Sequence, residues 1–512
     1  MGEVAGTPGE GQSTGEPMGV ADVSIDERQL IKALHWYDGF VVCLGNPGFL
    51  LGSLGFSIGS IGGLGSVMIW GLSMAIAVLQ NKIWTEPATM FPDRSGGLPI
   101  YAFEGWKRYF TPFGAMAAVG YWFAWSTVLA IFGLIVGSLI QAQWFVHQTW
   151  TVVGGGITFF SLPKVIAVGL ILIVWAFNTL GVRPAVWVGY VLGSLLMIPL
   201  FLFCILPYFT GHWHGSFLTF GLFAGGVGSF QSWKLFLAWM YIAGWSAYGV
   251  EAAATFAPEY HDTQRDTALA LRRSAIFSLM VYLLLPLGLS GVLSQSAISA
   301  NPVAFYAPAL DKIIGIGADF VLPLIIVSLV QSMNAATMDG SRALYGISRS
   351  GMTIRWLGRL NRFHVPGRAM TVDMVVNIGL VVLLNSTLQI LATGNLGYIL
   401  TMVLTATAVL LLRRDRPDWP RPIRLSKGWL WVAGALAALN AVFIGFGSWS
   451  FGVTGYGTYK QVLIGIGVEV LAILLFVYRR VVQDKQRFEL RDLTVSEPDL
   501  SLFAESAPAA RG

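Results

Sequence analysis

From about position 37 to position 478 the chain alternates long apolar runs with short stretches rich in Gly, Pro and charge. Runs such as 165–180, 186–209 and 462–478 approach the roughly 20 residues that a helix needs to cross a membrane. They are too long and too uniformly apolar for the alternating strands of a transmembrane barrel. The pattern predicts an all-α polytopic membrane protein with twelve spans, at 37–61, 64–90, 114–145, 162–180, 184–209, 235–256, 274–293, 320–341, 370–384, 396–412, 428–448 and 461–478. Residues 1–31 are rich in Gly, Glu and Ser and predict a disordered tail with no cleavable signal sequence. Residues 481–512 predict a second tail.

Composition agrees with this reading. Of 512 residues, 55% are hydrophobic and only 12% charged, against about a quarter charged in soluble proteins. Many of the 60 Gly lie inside the apolar runs, as at Gly48, Gly52, Gly55, Gly59 and Gly63, where they let packed membrane helices approach closely. Cys43 and Cys204 both fall within predicted spans, which argues against a structural disulfide. The net charge of +5 has a topological origin. All but four of the 32 Lys and Arg (Lys164, Lys234, Lys312 and Lys460) fall on the side of the two termini. The positive-inside rule then predicts cytoplasmic termini in a cell membrane, and no nucleic-acid partner is expected.

Two spans carry interruptions. Span 1 holds Cys43-Leu44-Gly45-Asn46-Pro47-Gly48-Phe49 at its middle. Gly, Asn and Pro are poor helix interior, and irregular backbone at membrane depth must be buried in protein or line a cavity. Asn46 suits an N-cap and Pro47 the first position of a restarted helix. The N–H groups of Gly48 and Phe49 would then face the break, where they could hold a carboxylate. A Pro-kinked packing helix is the alternative. Span 6 holds Ala243-Gly244-Trp245-Ser246-Ala247-Tyr248-Gly249-Val250-Glu251. Spans 1 and 6 lie five apart and enter from opposite sides. Interrupted helices in corresponding positions of two inverted halves mark the binding site of many secondary transporters. The expected organisation is a first repeat at 32–209, a second at 210–412, two peripheral helices within 413–480, and the tails. Glu251 is costly in hydrocarbon and must be paired, hydrated or protonated. It is a candidate for proton coupling or gating, or alternatively a structural acid satisfied by backbone N–H groups. Glu469, in span 12, lies outside the repeats and predicts a structural or oligomer-interface role.

The residues resemble the amino acid–polyamine–organocation superfamily from about Tyr37 to Lys485. The resemblance is carried by Glu86-Pro87-Ala88-Thr89-Met90-Phe91-Pro92-Asp93-Arg94-Ser95-Gly96-Gly97 at the end of span 2 and by Asn178-Thr179-Leu180-Gly181-Val182 between spans 4 and 5. It extends to Gly249-Val250-Glu251 with Pro258-Glu259, and to Ser341-Arg342-Ala343-Leu344-Tyr345 through Ser350-Gly351. It implies the leucine-transporter fold of five plus five inverted helices with two peripheral ones. It also implies an amino acid permease working by alternating access, with proton symport or substrate exchange. Polyamine, nucleobase or other organic cation carriage, or sodium coupling, remain as alternatives. Carried over, the substrate-binding positions are Gly45, Asn46, Gly48, Phe49, Trp245, Ser246, Ala247 and Tyr248, with Trp122 and Trp125 on span 3. The sequence departs from the family in reading Gly-Asn-Pro-Gly-Phe where members often carry Gly-Ser-Gly-Ile-Phe, and in lacking a mid-membrane Lys in span 5.

Ser328, Ser332, Ala335 and Asp339 share one face of span 8. Ser328 and Ser332 could contribute to a sodium site, although hydroxyl-lined packing is the commoner explanation. The six His lie near span ends or in loops, and no other metal site is expected. No Gly-Lys-Ser phosphate loop and no clustered nucleophile motif appear, so neither ATP drive, a cofactor nor an enzyme activity is expected. The expected partners are an amino acid or amine substrate and membrane lipids, with a homo-oligomer left open.

Overall fold

The computed structural model describes residues 30–315, 318–384, 387–455 and 457–494. The tails expected at 1–31 and 481–512 therefore fall largely outside the described residues. Helices α1 (Trp36–Cys43), α2 (Asn46–Met90), α3 (Leu98–Trp106), α4 (Pro112–Ser126) and α5 (Val128–Trp144) are followed by a hairpin of β1 (Thr151–Gly154) and β2 (Ile157–Ser161). Then come α6 (Leu162–Thr179), α7 (Val182–Cys204), α8 (Phe230–Ala247), a 3-10 segment Tyr248–Glu259, and α9 (Thr263–Val292). Next are α10 (Gln295–Ala300), α11 (Tyr306–Ile314), α12 (Ala318–Arg349), α13 (Gly367–Leu383) and α14 (Thr387–Asp415). The chain closes with α15 (Lys427–Val442), α16 (Phe451–Thr454) and α17 (Tyr459–Tyr478).

Among the described residues nine helical stretches are long and apolar enough to cross a membrane. The first, Trp36–Met90, has 55 residues, about 80 Å of helix against a hydrocarbon core of about 30 Å. It divides at Gly62, whose φ of 79° favours glycine. The backbone groups freed there are taken up by the loop before α8: Leu64 N–H donates to Thr219 O at 3.0 Å and Gly221 N–H to Ile61 O at 2.8 Å. Each expected span thus corresponds to a helical segment, with α8 plus its 3-10 continuation forming the sixth and the 17-residue α13 the ninth. The protein is an all-α polytopic membrane protein. Its outer faces show what such a protein offers lipid: Trp187, Ile173, Trp431 and Leu474 are exposed.

Several features were absent from the expectation, α10, α11 and α16 among them, and three others bear on the first four spans. Helix α3 lies between spans 2 and 3, and the hairpin precedes span 4. Span 3 is divided at Thr127, which joins α4 to α5 with helical dihedrals (φ −59°, ψ −17°).

One end of the bundle is tied by charge. Glu86 accepts from Arg413, from Arg421 at 3.2 Å and from Leu425 N–H at 2.9 Å. Glu104 pairs with Arg94, with Lys107 at 3.0 Å and with Arg416 at 2.5 Å. Glu259 pairs with Arg342, both side chains 1% exposed. Both ends of the described chain meet here, since Ala33 and Leu34 N–H donate to Glu259 O and Thr111 N–H donates to Leu490 O. A cavity of about 880 Å³ opens among these elements, lined by Lys32, Arg94, Lys107, Arg349 and Arg480 together with Asp93, Glu104 and Asp492. Away from this end, Glu469 of α17 is buried between α4 and α14, where a Cβ on Gly120 would come within 2.5 Å of its Oε1.

Candidate functional site

The two interrupted segments meet. The first interruption is a tightened turn. Leu44 (φ −62°, ψ −15°) and Gly45 (φ −62°, ψ −24°) keep right-handed dihedrals. Gly45 N–H donates to Val42 O and Gly48 N–H to Gly45 O, both at 3.1 Å. This corrects the sequence-based expectation at three positions. The cap is Gly45, with Asn46 first and Pro47 second in α2. The Gly48 N–H is already engaged and is not free to hold an anion. The physical reason is that a glycine keeping helical dihedrals lets the chain bond three residues back and never opens.

The second interruption is a change of winding. Helix α8 ends at Ala247, and the next 12 residues continue as a 3-10 helix, a form that rarely runs beyond three or four residues. Tyr282 of α9 ties the two together: its hydroxyl lies 3.0 Å from both Asn46 O and Ser246 O and 2.9 Å from Ser246 Oγ. Nothing in the sequence pattern singled out Tyr282, because its role depends on where α9 packs.

Between the interruptions lies a closed aromatic cage. Phe49 stacks on Trp245 at 5.3 Å and on Phe132 at 5.5 Å, and meets Trp125 at 5.6 Å. Trp125 and Trp245 are buried with Phe49. Asn46 presents its side-chain amide to bare backbone, since a Cβ on Gly249 would lie 2.7 Å from Asn46 Oδ1. Both polar atoms of that amide are buried without a hydrogen-bond partner, which is rare in a folded interior. Glu251 stands beside the cage and is fully buried. Its Oε1 accepts from Tyr398 Oη at 2.7 Å and from Trp125 Nε1 at 3.3 Å, while Oε2 has no partner.

The expected residues therefore divide. Gly45, Asn46, Gly48, Phe49, Trp125, Trp245, Ser246, Ala247 and Glu251 gather at the junction. Trp122 turns away, its indole N–H donating to Asp373 Oδ1 of α13 at 2.5 Å. Tyr248 also points outward, its hydroxyl donating to Asn440 of α15 at 3.1 Å. The Ser328 hydroxyl donates to Leu324 O at 2.8 Å, and that of Ser332 to Gly45 O at 2.6 Å. The Ser332 hydroxyl thus closes over the turn at Gly45, while that of Ser328 bonds back to its own helix. Phe132 and Tyr398 join the site without having been expected there. Each sits in an apolar run, where an aromatic gives no sign of its facing.

Comparison with known proteins bears on most of the chain. A family model described as amino acid permease matches residues 39–468. The chain is 26% identical over 374 residues to the amino-acid permease RocE of Bacillus subtilis, covering 68% of this chain and 73% of that one. It is 20% identical over 431 residues to the glutamate/serine transporter AimA of the same organism, covering 78% and 74%. A shorter similarity, 23% identity over 179 residues, covers 35% of this chain and 36% of the D-serine/D-alanine/glycine transporter of Escherichia coli.

Proposed function

The chain belongs to the amino acid permease family and is a secondary transporter of amino acids; we propose that it works by alternating access about the junction of Asn46 with Gly249, coupled to protons through Glu251. The single observation that carries the coupling is the setting of Glu251. It is fully buried, with hydroxyl and indole donors on one oxygen and nothing on the other, and no cation lies within salt-bridge distance among the described residues. An uncompensated carboxylate in such a place costs several kcal/mol. A neutral carboxyl turns the unpartnered oxygen into a donor. Gain and loss of a proton therefore change how α4, the 3-10 segment and α14 are held together. That supplies the differential interaction a two-state transporter requires.

In this reading the halves at 32–209 and 210–412 are the inverted repeats. The cage of Phe49, Trp125 and Trp245 packs on the substrate, and the Asn46 amide supplies its polar contact. The test begins with radiolabelled uptake of the common amino acids into proteoliposomes under separate proton and sodium gradients. With the best substrate so found, uptake is followed across about pH 5 to 8 in wild type and Glu251→Gln at matched protein levels. The variant is expected to bind substrate and to lose the pH dependence of transport. A wild-type profile in the variant would remove Glu251 as the coupling group.

The orientation follows from the basic residues gathered around the Glu86, Glu104 and Glu259 pairs, which the positive-inside rule places in the cytoplasm. His212, exposed in the loop before α8, is then extracellular. Cys43 and Cys204 are buried, so His212→Cys introduces the reactive thiol. Labelling of intact cells by a membrane-impermeant maleimide is expected, and labelling only after the membrane is opened would reverse the topology.

A further inference from the structure

The aromatic cage draws its rings from both sides of the division in span 3. Trp125 belongs to α4 and Phe132 to α5. Phe49 lies between them, 5.6 Å from the first ring and 5.5 Å from the second. Trp125 also donates to Glu251 Oε1 at 3.3 Å. Whatever fixes α4 against α5 therefore fixes the width of the cage. Thr127, the joint, does little of this alone. Its dihedrals are helical, and its hydroxyl bonds back to Ala124 O at 2.9 Å. Backbone bonding continues on either side, with Thr127 N–H donating to Phe123 O at 3.0 Å and Ile131 N–H to Thr127 O at 3.1 Å.

The joint is gripped from outside span 3, by α13. Asn377 of that helix is fully buried. Its Oδ1 accepts from Ala130 N–H at 3.0 Å, and its Nδ2 donates to Ser126 Oγ at 2.9 Å and to Asp373 O at 2.8 Å. One turn earlier on α13, Asp373 Oδ1 accepts from Trp122 Nε1. Trp122, Ser126 and Ala130 recur every four residues and so share one face of span 3; Asp373 and Asn377 share the matching face of α13. A side chain inserted into the ladder of a helix is one of the few causes of a helix bend. The remaining sides are closed by glycines. A Cβ on Gly394 of α14 would lie 3.1 Å from Ala124 Cα and 3.2 Å from Thr127 Oγ1. A Cβ on Gly340 of α12 would lie 3.6 Å from Trp125 Cβ and 3.7 Å from Asp373 Oδ2. Of the four hydrogen bonds open to its amide, Asn377 thus makes three, and none of them is to a ring of the cage.

We propose that Asn377 is a positioning residue for substrate binding: it pins the joint of span 3 to α13 at the angle at which Trp125 and Phe132 close on Phe49. The inference rests on the reading of the cage as the substrate site. The pin acts at Ser126 and Ala130, one position after Trp125 and two before Phe132, so it reaches the rings through the backbone that carries them. Without the amide, the Ala130 N–H must find another acceptor, because a buried N–H is not left unpaired. The nearest remedy is for span 3 to wind through the joint as an uninterrupted helix, which moves Phe132 relative to Trp125. A misplacement of about 1 Å is enough to cost a large factor in how a site engages its ligand.

The experiment uses the full chain purified in detergent, with the radiolabelled amino acid that wild type takes up best. Equilibrium binding and thermal unfolding are measured on the same preparations, and affinity is expressed per folded molecule. Asn377→Leu, which keeps the volume and removes the amide, is expected to weaken binding about tenfold. Ser126→Ala removes one partner and leaves Asn377 in place; it is expected to weaken binding about threefold. Combined with Asn377→Leu it is expected to add nothing, as for two groups in one network. Trp125→Ala tests the cage itself and is expected to weaken binding about fivefold or more. A residue that only packs would lower the unfolding temperature and leave the affinity of the folded molecules unchanged. Wild-type affinity in Asn377→Leu therefore overturns the proposal, whatever the stability of the variant. If Asn377→Leu does not fold, Ser126→Ala carries the test, and wild-type affinity there overturns the proposal. Single effects that multiply in the double variant overturn it too. Weakened binding in Trp125→Ala beside wild-type affinity in Asn377→Leu overturns the pin alone, whereas wild-type affinity in Trp125→Ala overturns the underlying reading of the cage.

Discussion

Arg342→Met is expected to destabilise the folded protein by about 3–5 kcal/mol, because it leaves Glu259 buried without its cation. The pair is closed on every side. Both side chains are 1% exposed, the guanidinium lies over the Phe256 ring at 4.7 Å, and Arg342 also donates to Met338 O. Replacing both partners with apolar residues of similar volume removes the orphaned charge. The double variant Arg342→Met/Glu259→Leu is therefore expected to regain most of the loss. Thermal unfolding of the purified protein in detergent, for the two singles and the double, measures the coupling. A single variant within about 1 kcal/mol of wild type would show that the pair is not desolvated as its burial implies.

Acid is expected to remove a second large contribution, at Glu104. This residue lies in α3, outside the long apolar stretches. Burial alone would push its carboxyl up, but Arg94, Lys107 and Arg416 together hold it down to about 2, from an ordinary 4.5. A folded-state value below the unfolded one means that the stabilisation is fully present above about pH 4.5. It declines as the pH falls toward 2, and it amounts to about 3 kcal/mol. Wild type is expected to lose stability across that window. Glu104→Gln is expected to start lower at neutral pH and to show a shallower acid slope. Equal slopes in wild type and variant would mean that the three cations do not act on Glu104.

The fold was legible because membrane solvation writes itself into run length. The apolar stretches marked the spans, and the gap between spans 1 and 2 fell at Gly62 and Gly63, where the backbone reverses. The paired interruptions and Glu251 could be read for the same reason, since Pro, Gly and an acid are conspicuous inside a span. What could not be read was facing. Trp122 and Trp125 differ by three positions on one helix, yet one meets Asp373 and the other Glu251. Asp339 looked like the last member of a hydroxyl-lined face. Its burial with both carboxylate oxygens unpartnered arises only when α12 packs against α4 and the 3-10 segment. Asn46 looked like a cap because the residue type favours caps, but Gly45 kept helical dihedrals and took the position.

The 3-10 winding of Tyr248–Glu259 is also a matter of length. Twelve residues span about 24 Å at the 3-10 rise and about 18 Å at the α-helical rise. The segment is anchored at one end through Tyr248 to Asn440. At the other end Glu259 holds Arg342 and the N–H groups of Ala33 and Leu34. Rewinding it as α-helix with the first anchor fixed would draw the second inward by about 6 Å, close to one helical pitch. Rewinding the whole segment would therefore carry the Glu259–Arg342 pair, with the Ala33 and Leu34 backbone bonded to Glu259, by about one helical pitch.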